Sequence, residues 1–454
     1  MKFIISGGKR LEGEIRLAGA KNAATKMMVA SILTSEPCVL ENFPEIGDTE
    51  ITAELCRSIG SKIEVESSPD GSSLKIHTPE IKNSKVISLS RRNRIPILAL
   101  GPLLARVGEA EVPILGGDKI GPRPVDIHIN ALTAMGATIE VRDNSYFASA
   151  KNGLHGAEIV LRYPSVGATE NTILAAVLAS GRTAIHNAAI EPEVLDLIKM
   201  LQQMGAIIEV GANRNIYIDG VKELRGVTYR IMPDRNEAVS FACLAVATGG
   251  KVLVKEARHD DLLNFVNVLR KIGGEYEIQE GGILFYRPVE NKILHPVNIE
   301  TDPHPGFMTD WQQPVAVLLT QADGESTIHE TVYEDRFAYV KDLNLMGAEI
   351  KVVSKCLGEK SRLPDGDGQA HHNGGQACRF AGREHNHSAA IKGPTRLKAA
   401  SLEVRDLRSG IAHIIAALIA DGESTITGAE EIDRGYERID ERLRALGAEI
   451  RRIA

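Results

Sequence analysis

Apolar and polar positions follow two periods that alternate along the chain. In six places an apolar residue, a glycine and a small residue lead into a stretch of alternating polarity. A helix that ends at a glycine and continues as a strand gives this pattern, because glycine readily adopts the left-handed conformation that terminates helices. The six copies read SIGSKIEV, AMGATIEV, QMGAIIEV, KIGGEYEI, LMGAEIKV and ALGAEIRR, and their glycines are Gly60, Gly136, Gly205, Gly273, Gly347 and Gly447.

A second pattern alternates with the first and also predicts a helix, a glycine and a strand. It reads ASGRTAI at 179–185, ATGGKVL at 247–253, and ADGESTI at 322–328 and 420–426. The glycines of the first pattern are 76, 69, 68, 74 and 100 residues apart. The repeats predict six βα units with two helices each, grouped as two domains of three, since 454 residues exceed one ordinary core.

The last interval contains about thirty residues more than the others. The excess is rich in Gly, Pro, Asn and charged residues without a period, so we expect an exposed, flexible insertion at 355–398. Possible metal ligands occur there, but without the paired spacing of a zinc site, and no metal is predicted. These residues are His371, His372, Cys378, His385 and His387.

Charge and composition narrow the classes of partner. A net charge of −7 without a basic tract argues against nucleic acid and anionic membranes. The N-terminus has no signal-like apolar segment, and the apolar run at 411–420 is too short to span a bilayer, so a cytoplasmic protein is expected. Five cysteines without paired spacing indicate reduced thiols. Nothing fixes the oligomeric state, and a monomer is the working expectation.

Four of the six helices that precede a glycine and strand begin with a cation. A cation at the positive end of a helix dipole is mildly unfavourable unless an anion lies nearby. The pattern therefore favours a shared anionic ligand, although chance placement stays open. Ser165, Asp234 and Asp310, each at one of the six starts, are also ordinary N-caps. The cations lie in AGAKNAATK, RRNRIPILAL, PDRNEAVSF and VRDLRSGIAH.

Several long motifs, in order, carry a family resemblance. They are AGAKNA, GGDxIGxRPVDIHI, SVGAT, HPxFxTD, ETVxExRF, DLR and IDRGYERIxxxLRALGA. With them the chain resembles the UDP-N-acetylglucosamine 1-carboxyvinyltransferase family over nearly its whole length, apart from the insertion. The resemblance implies an α/β fold of two inside-out α/β barrels, each of three βα repeats, with the active site in the interdomain cleft. It places the first domain at 21–230 and the second at 1–20 with 231–454.

The resemblance also implies the reaction and its residues. The family transfers the enolpyruvyl group of phosphoenolpyruvate to the 3-hydroxyl of UDP-N-acetylglucosamine by addition and elimination, without a metal or cofactor. Lys21, Arg123 and Arg434 correspond to residues that bind phosphoenolpyruvate, with Arg408 beside them. Asn22 and Asp310 correspond to residues at the sugar hydroxyls, and Asp310 is the candidate that accepts or orients the hydroxyl proton. Residues matching the uridine diphosphate site are Arg94, Arg123, Pro124, Val125, Asp126, Ile127, Ser165, Val166, Gly167 and Val332.

Two positions depart from the family. Tyr163 stands where the family usually has Lys, and Arg162 beside it is a candidate replacement for the diphosphate cation. Asp118 stands where a mobile loop usually carries the cysteine proposed as general acid, and aspartate is a natural variant there. An isolated Asp has a pKa of about 4, and Lys119 and Arg123 would lower it further. Asp118 can therefore donate a proton only after anionic substrate binds and the loop closes.

Three other functions stay open. A 5-enolpyruvylshikimate-3-phosphate synthase would share the fold, but the AGAKNA, RPVDIHI and IDRGYERI stretches resemble the sugar-nucleotide branch. A paralogue for another nucleotide sugar is suggested by Tyr163. A non-catalytic nucleotide-sugar binder would have no need of Lys21, Asp310, Arg408 and Arg434 together.

Overall fold

The computed structural model describes residues 1–68, 71–90, 93–114, 116, 124–289, 293–356, 380 and 384–453. They form two compact units. The first unit contains the described residues between 18 and 233, and the second contains 1–17 and the described residues from 234 onward. Asp118, Lys119 and Arg123 lie outside the described residues, as do His371, His372 and Cys378.

The first unit contains three sheets, with strand orders β13-β3-β5-β4, β6-β8-β7 and β11-β12-β10-β9. In two of them a short strand adds in parallel to one edge, and the remaining neighbours are antiparallel. The strands are β3 (Cys38–Phe43), β4 (Lys62–Glu66), β5 (Ser72–His77), β6 (Glu109–Pro113), β7 (Thr138–Val141), β8 (Ser145–Ser149), β9 (Glu158–Val160), β10 (Arg182–His186), β11 (Ile207–Val210), β12 (Ile216–Asp219) and β13 (Thr228–Arg230).

The second unit repeats this topology in sheets ordered β15-β16-β14-β2, β17-β18-β20-β19 and β21-β22-β1-β23. Both N-terminal strands belong to it, because β2 pairs with β14 and β1 pairs with β22 and β23. The strands are β1 (Lys2–Ser6), β2 (Glu12–Arg16), β14 (Lys251–Lys255), β15 (Glu275–Gln279), β16 (Gly282–Tyr286), β17 (Asn298–Glu300), β18 (Gly324–His329), β19 (Glu349–Val353), β20 (Ser388–Gly393), β21 (Ser401–Glu403), β22 (Glu423–Thr427) and β23 (Glu449–Ile453).

Helices alternate with these strands. Those of the first unit are α1 (Lys21–Ala30), α2 (Gly47–Ile59), α3 (Leu100–Val107), α4 (Asp126–Ala134), α5 (Val166–Ala176) and α6 (Pro192–Gln203). Those of the second are α7 (Arg235–Ala247), α8 (Leu263–Ile272), α9 (Gln312–Leu319), α10 (Val340–Leu345), α11 (Leu407–Ile419), α12 (Ala429–Ile432) and α13 (Ile439–Ala445). Short 3₁₀ turns occupy Ser31–Leu33, Pro96–Ala99, His259–Leu262 and Thr309–Trp311.

The second unit has two kinds of helix, which explains its layering. After its first turn, helix α11 has His413 as its one polar side chain, and every residue from Leu407 to Leu418 is buried. Helix α8 has one apolar stripe, and only Phe265, Val266, Leu269 and Ile272 are buried. A helix without a polar face must lie inside, whereas an amphipathic helix packs with one face outward. Sheets therefore flank buried helices, which is the inverse of an ordinary barrel.

The glycine repeat predicted from the sequence is confirmed at the level of helix and strand. All six glycines have positive φ values, between 94° and 129°. Each follows a helix and leads into an edge strand of a different sheet, namely β4, β7, β11, β15, β19 and β23. An L side chain would be strained at these angles, so the residue type fixes where each helix ends.

The C-terminal limit of the predicted insertion, residue 398, is wrong. Residues 388–393 form β20, which pairs with β18 on one side and β19 on the other. The excess is thus confined to the connection between the hairpin strands β19 and β20. The glycines and histidines before Ser388 predicted a loop from composition alone. The strand is instead stabilised by pairing with strands that are distant in the sequence.

Candidate active site

Lys21 is the first residue of α1 and is already paired. Its Nζ lies 2.7 Å from Oδ2 of Asp48, in the first turn of α2, and both side chains are largely buried. The carboxylate offsets the unfavourable placement of a cation at a helix start. Asn22 follows, half-buried, and its main-chain oxygen accepts a hydrogen bond of 2.7 Å from Lys26. The pairing with Asp48 fixes the position of Lys21 without a ligand.

Asp126 and Arg162, both singled out from the sequence, bind each other. The guanidinium donates two hydrogen bonds to the carboxylate, one of them 3.0 Å long, and both side chains are about half exposed. The hydrogen bond from Arg162 lowers the pKa of Asp126. Pro124 is exposed, Val125 is partly buried, and Ile127 is buried in the core. The candidate diphosphate cation is therefore held at the start of α4.

Helix α4 also packs against the helix that begins after Ser165. Ser165 is the N-cap of α5, and its hydroxyl accepts a hydrogen bond from the N–H of Ala168. A Cβ at Gly167 would lie 3.1 Å from Cε1 of His128, so glycine allows the imidazole to approach. Burial lowers the pKa of His128 to about 3, and the charge of Arg94 acts in the same direction. A neutral His128 therefore packs residues 124–129 against the SVG segment, with Val166 in the first turn of α5.

In the second unit, Asp310 lies between two buried arginines. Its Oδ2 accepts a hydrogen bond of 3.0 Å from Nε of Arg408, and its Oδ1 accepts one from Arg336. The side chains of Arg336 and Arg408 are only 3% and 6% exposed. Burial alone would lower the pKa of Arg408, but Asp310, Tyr436 and Asp234 together outweigh it and raise the pKa. Both guanidinium groups stay charged and fix the orientation of the carboxylate.

The carboxylate of Asp406 caps the start of α11, next to Arg408. Asp406 is the N-cap of α11 and accepts hydrogen bonds from the N–H groups of Arg408 and Ser409, each 3.0 Å long. The Arg408 guanidinium also lies 3.4 Å from the hydroxyl of Tyr436. Arg434 is less enclosed, and its guanidinium binds Glu431 at 2.8 Å near the surface. Arg408 is therefore the more enclosed of the two arginines.

Glu330 connects the segment of Val332 to the segment of Asp310. Its buried carboxylate accepts hydrogen bonds from the N–H groups of Val332 and Tyr333 and from the hydroxyl of Thr309. Burial raises the pKa of Glu330. These bonds hold the ETVYEDRF segment, which supplies Arg336, against the turn that carries Asp310.

Sequence reasoning assigned no role to Asp48 or Arg336. Arg336 stood in the quoted motif ETVxExRF, yet nothing local marked it as the partner of Asp310, 26 residues earlier. The same reasoning expected cations at helix starts to bind a shared external anion. Two of those cations, Lys21 and Arg408, also bind carboxylates of their own unit, and the shared anion stays a prediction.

Known proteins share both the sequence and the fold. Residues 5–443 match the EPSP synthase family (3-phosphoshikimate 1-carboxyvinyltransferase). The enolpyruvyl transferase NikO from Streptomyces tendae superposes with a TM-score of 0.81 at 22% identity, covering 99% of this chain and 98% of its own. An EPSP synthase from Acinetobacter baumannii gives a TM-score of 0.69 at 18% identity, with each chain fully covered. The enolpyruvyl transferase fold is confirmed.

Curated relatives narrow the family. Proteins called UDP-N-acetylglucosamine 1-carboxyvinyltransferase are 46% identical in Protochlamydia amoebophila, over 98% of this chain and 93% of the relative, and 46% identical in Chlamydia abortus, over 98% and 97%. One from Caulobacter sp. is 39% identical over 100% of this chain and 97% of its own. Among the described residues, no helix has the length and apolarity needed to cross a membrane. The chain therefore belongs to the UDP-N-acetylglucosamine 1-carboxyvinyltransferase family.

Proposed function

We propose that the protein transfers the enolpyruvyl group of phosphoenolpyruvate to the 3-hydroxyl of UDP-N-acetylglucosamine and releases phosphate, the first committed step of peptidoglycan precursor synthesis. The observation that carries the proposal is 46% sequence identity, over 98% of the chain, to relatives with that name. Retained Lys21, Asp310, Arg408 and Arg434 supply the charges that the chemistry needs. The proposal includes a cytoplasmic monomer that binds both substrates.

The reaction requires cations for the phosphate and carboxylate of phosphoenolpyruvate. Lys21, Arg123, Arg408 and Arg434 take this role in the proposal. Guanidinium groups suit it because their planar donors bind two oxygens of a carboxylate or phosphate at once. Pre-placed cations stabilise charge that shifts from the substrate carbon framework to the leaving phosphate. No metal or organic cofactor is required for this step.

Asp310 orients the attacking hydroxyl in the proposal. Each of its oxygens already accepts a hydrogen bond from an arginine, which weakens the carboxylate as a base. A carboxylate oxygen has a second acceptor site, so it can still receive the sugar 3-hydroxyl. Asp310 therefore aligns the oxygen and takes up its proton only as the new C–O bond forms. Asn22 provides a second polar contact to the sugar.

The proposal also assigns residues to the nucleotide, Val332 among them. Arg94, the 123–127 segment and the 165–167 segment supply these contacts, and Arg162 supplies the diphosphate cation in place of the usual Lys at Tyr163. Arg162→Ala should raise KM for the UDP-sugar more than it lowers kcat, because the lost charge contacts a part of the substrate that does not react. Arg142→Ala is the matched control, since Arg142 is a similarly exposed arginine paired with Glu111 and Glu140.

Asp118 donates the proton to the methylene carbon in the proposal. Anionic substrate and exclusion of water favour its protonated form, so it acts only in the closed complex.

A phosphate-release assay with phosphoenolpyruvate and a panel of acceptors tests the proposal. We expect release with UDP-N-acetylglucosamine and none with shikimate 3-phosphate. Turnover with a different nucleotide sugar alone would favour a paralogue. Binding of UDP-N-acetylglucosamine without any phosphate release would favour the non-catalytic binder.

A further inference from the structure

Three metal-ligating side chains converge at one end of the sheet β17-β18-β20-β19. His329 is the last residue of β18, His387 directly precedes β20, and Cys356 follows β19 by three residues. One ligand atom from each lies within 4.8 Å of the other two. The Cys356 Sγ and His387 Nε2 atoms are 3.2 Å apart. We propose that His329, Cys356 and His387 form a Zn²⁺ site, separate from the residues assigned to enolpyruvyl transfer.

The strand register brings these residues together. Ser388 lies opposite His329 across the β18–β20 pair and opposite Val353 across the β19–β20 pair. The N–H of His387 also donates a 3.1 Å hydrogen bond to the oxygen of Val353. Regular sheet hydrogen bonding therefore fixes His329 and His387, and Cys356 lies three residues beyond the end of β19. A site built on strands holds its ligands with little freedom to move apart.

Both histidines are oriented as metal ligands usually are. His329 Nδ1 donates a 2.7 Å hydrogen bond to the carboxylate of Glu300, and His387 Nδ1 donates one of 2.7 Å to the main-chain oxygen of His385. A ring nitrogen that donates its proton leaves the opposite nitrogen, Nε2, with the electron pair that coordinates a metal. A carboxylate or carbonyl behind each imidazole is the usual outer shell of a zinc site.

The spacing and surroundings fit tetrahedral zinc. Zn–N bonds of about 2.0–2.1 Å and Zn–S bonds of about 2.3 Å separate tetrahedral ligand atoms by about 3.4–3.6 Å. The 3.2 Å between Cys356 Sγ and His387 Nε2 requires a small outward shift of the thiol, and spacings of up to 4.8 Å within the cluster close by about 1 Å on binding. The His329 and His387 side chains are fully buried, and the ring of buried Phe380 lies 5.5 Å from that of His387.

The ligand types select the metal. Two imidazoles and one thiolate suit Zn²⁺, whereas Mg²⁺ and Ca²⁺ prefer oxygen ligands. Binding converts the Cys356 thiol to a thiolate and releases its proton to solvent. Water can take the fourth position.

The proposal replaces the sequence-based expectation that the chain binds no metal. Of the described histidines first considered in the insertion, His387 is a ligand and His385 contributes its carbonyl oxygen. His329 and Cys356 come from outside that set, and only the strand pairing brings them to His387. Bound metal would join both ends of the connection between β19 and β20 to the sheet. We expect bound metal to stabilise the folded chain, because a cross-link at the base of a long loop lowers the conformational entropy of the unfolded chain.

The experiment uses the full chain, purified without chelators and dialysed against buffered Zn²⁺. Elemental analysis should find about one Zn²⁺ per chain. Replacement by Co²⁺ should give the intense visible bands of a tetrahedral site and a thiolate-to-metal charge-transfer band. Removing the metal with a chelator should lower the melting temperature, and returning Zn²⁺ should restore it.

Variants separate this site from adventitious binding. Cys356→Ser and His387→Gln should lose the stoichiometric metal and the charge-transfer band, and Glu300→Gln should weaken binding by about tenfold. The matched controls are Cys38→Ser and His186→Gln, since His186 also has a carboxylate partner. The controls should keep the metal. The proposal is overturned if the wild-type chain takes up no Zn²⁺, if its Co²⁺ form lacks the thiolate band, or if Cys356→Ser retains both.

Discussion

Removing Arg408 and removing Arg434 should affect the protein in different ways. Arg408→Ala deletes a buried guanidinium that binds Asp310 at 3.0 Å and contacts Tyr436. Breaking a buried ion pair costs about 3–5 kcal/mol of folding free energy when the remaining charge is left alone. Asp310 keeps Arg336 as a partner, so we expect a loss near the lower end of that range. Arg434 binds Glu431, and their side chains are 14% and 37% exposed, so this less enclosed pair should contribute less, about 1 kcal/mol.

Catalysis should suffer in both variants. Each arginine is proposed to contact phosphoenolpyruvate, and the loss of one charge-assisted contact in the transition state costs about 2–4 kcal/mol. That range corresponds to a decrease in kcat/KM of about 30- to 900-fold. Arg434→Ala should therefore be a folded, slow enzyme, whereas Arg408→Ala should be both slow and destabilised.

Urea unfolding followed by circular dichroism measures the first effect, and steady-state phosphate release measures the second. Arg405→Ala is the matched control, because Arg405 is an exposed arginine three residues from Arg408 that binds only Glu403 among the contacts described. It should change neither quantity appreciably. Equal losses of stability in Arg408→Ala and Arg434→Ala, or wild-type kinetics in either, would refute the reasoning.

Three further predictions concern single features. Asp118 should make the enzyme insensitive to fosfomycin, which alkylates the loop cysteine in this family, because a carboxylate is a weaker nucleophile toward an epoxide than a thiolate. Asp118→Cys should gain the mass of the drug, and Asp118→Asn should lose turnover. Alkylation of wild-type residue 118 would show that the loop is wrongly assigned. Deleting residues 359–377 and joining the ends with a Gly-Ser link should leave turnover within several-fold of wild type. Deleting 358–394 should abolish folding, because it removes β20. A folded, active 358–394 deletion would contradict the assignment of β20 to its sheet. Burial raises the pKa of Glu170 from 4.5 to about 7. Between these two pH values the folded chain retains a proton that the unfolded chain releases, so the free energy of unfolding falls as the pH rises from 4.5 to about 7. Glu170→Gln should therefore stabilise the protein by on the order of 3 kcal/mol at pH 8 and little at pH 4.5, and equal shifts in melting temperature at both pH values would argue against a raised pKa.

Local signals made the repeated elements predictable. A glycine that must adopt positive φ, placed between an apolar helix and a stretch of alternating polarity, specifies a helix end and a strand start from neighbouring residues alone. All six predicted glycines behave this way. The strand β20 was missed for the opposite reason. Its six residues follow a polar, glycine-rich stretch, and its stability comes from β18 and β19, which are distant in sequence.

The pairings within the candidate site could not be read from the sequence. Asp310 and Arg408 are 98 residues apart, and Asp126 and Arg162 are 36 apart. A motif indicates that a residue matters, but the partner of its charge depends on how helices pack. His329 gave no signal at all, because a lone histidine at the end of a strand becomes a candidate ligand only when Cys356 and His387 are brought beside it.

Product analysis after reaction in D₂O tests the proposed chemistry most directly. Addition puts a solvent deuteron on the methylene carbon of phosphoenolpyruvate, and elimination then removes either hydrogen isotope from the resulting methyl group. Mass spectrometry should therefore find UDP-N-acetylglucosamine carrying one enolpyruvyl group, with deuterium at the vinylic carbon and one phosphate released per product. Absence of that product would contradict the proposed function, and product without deuterium would contradict the addition and elimination steps.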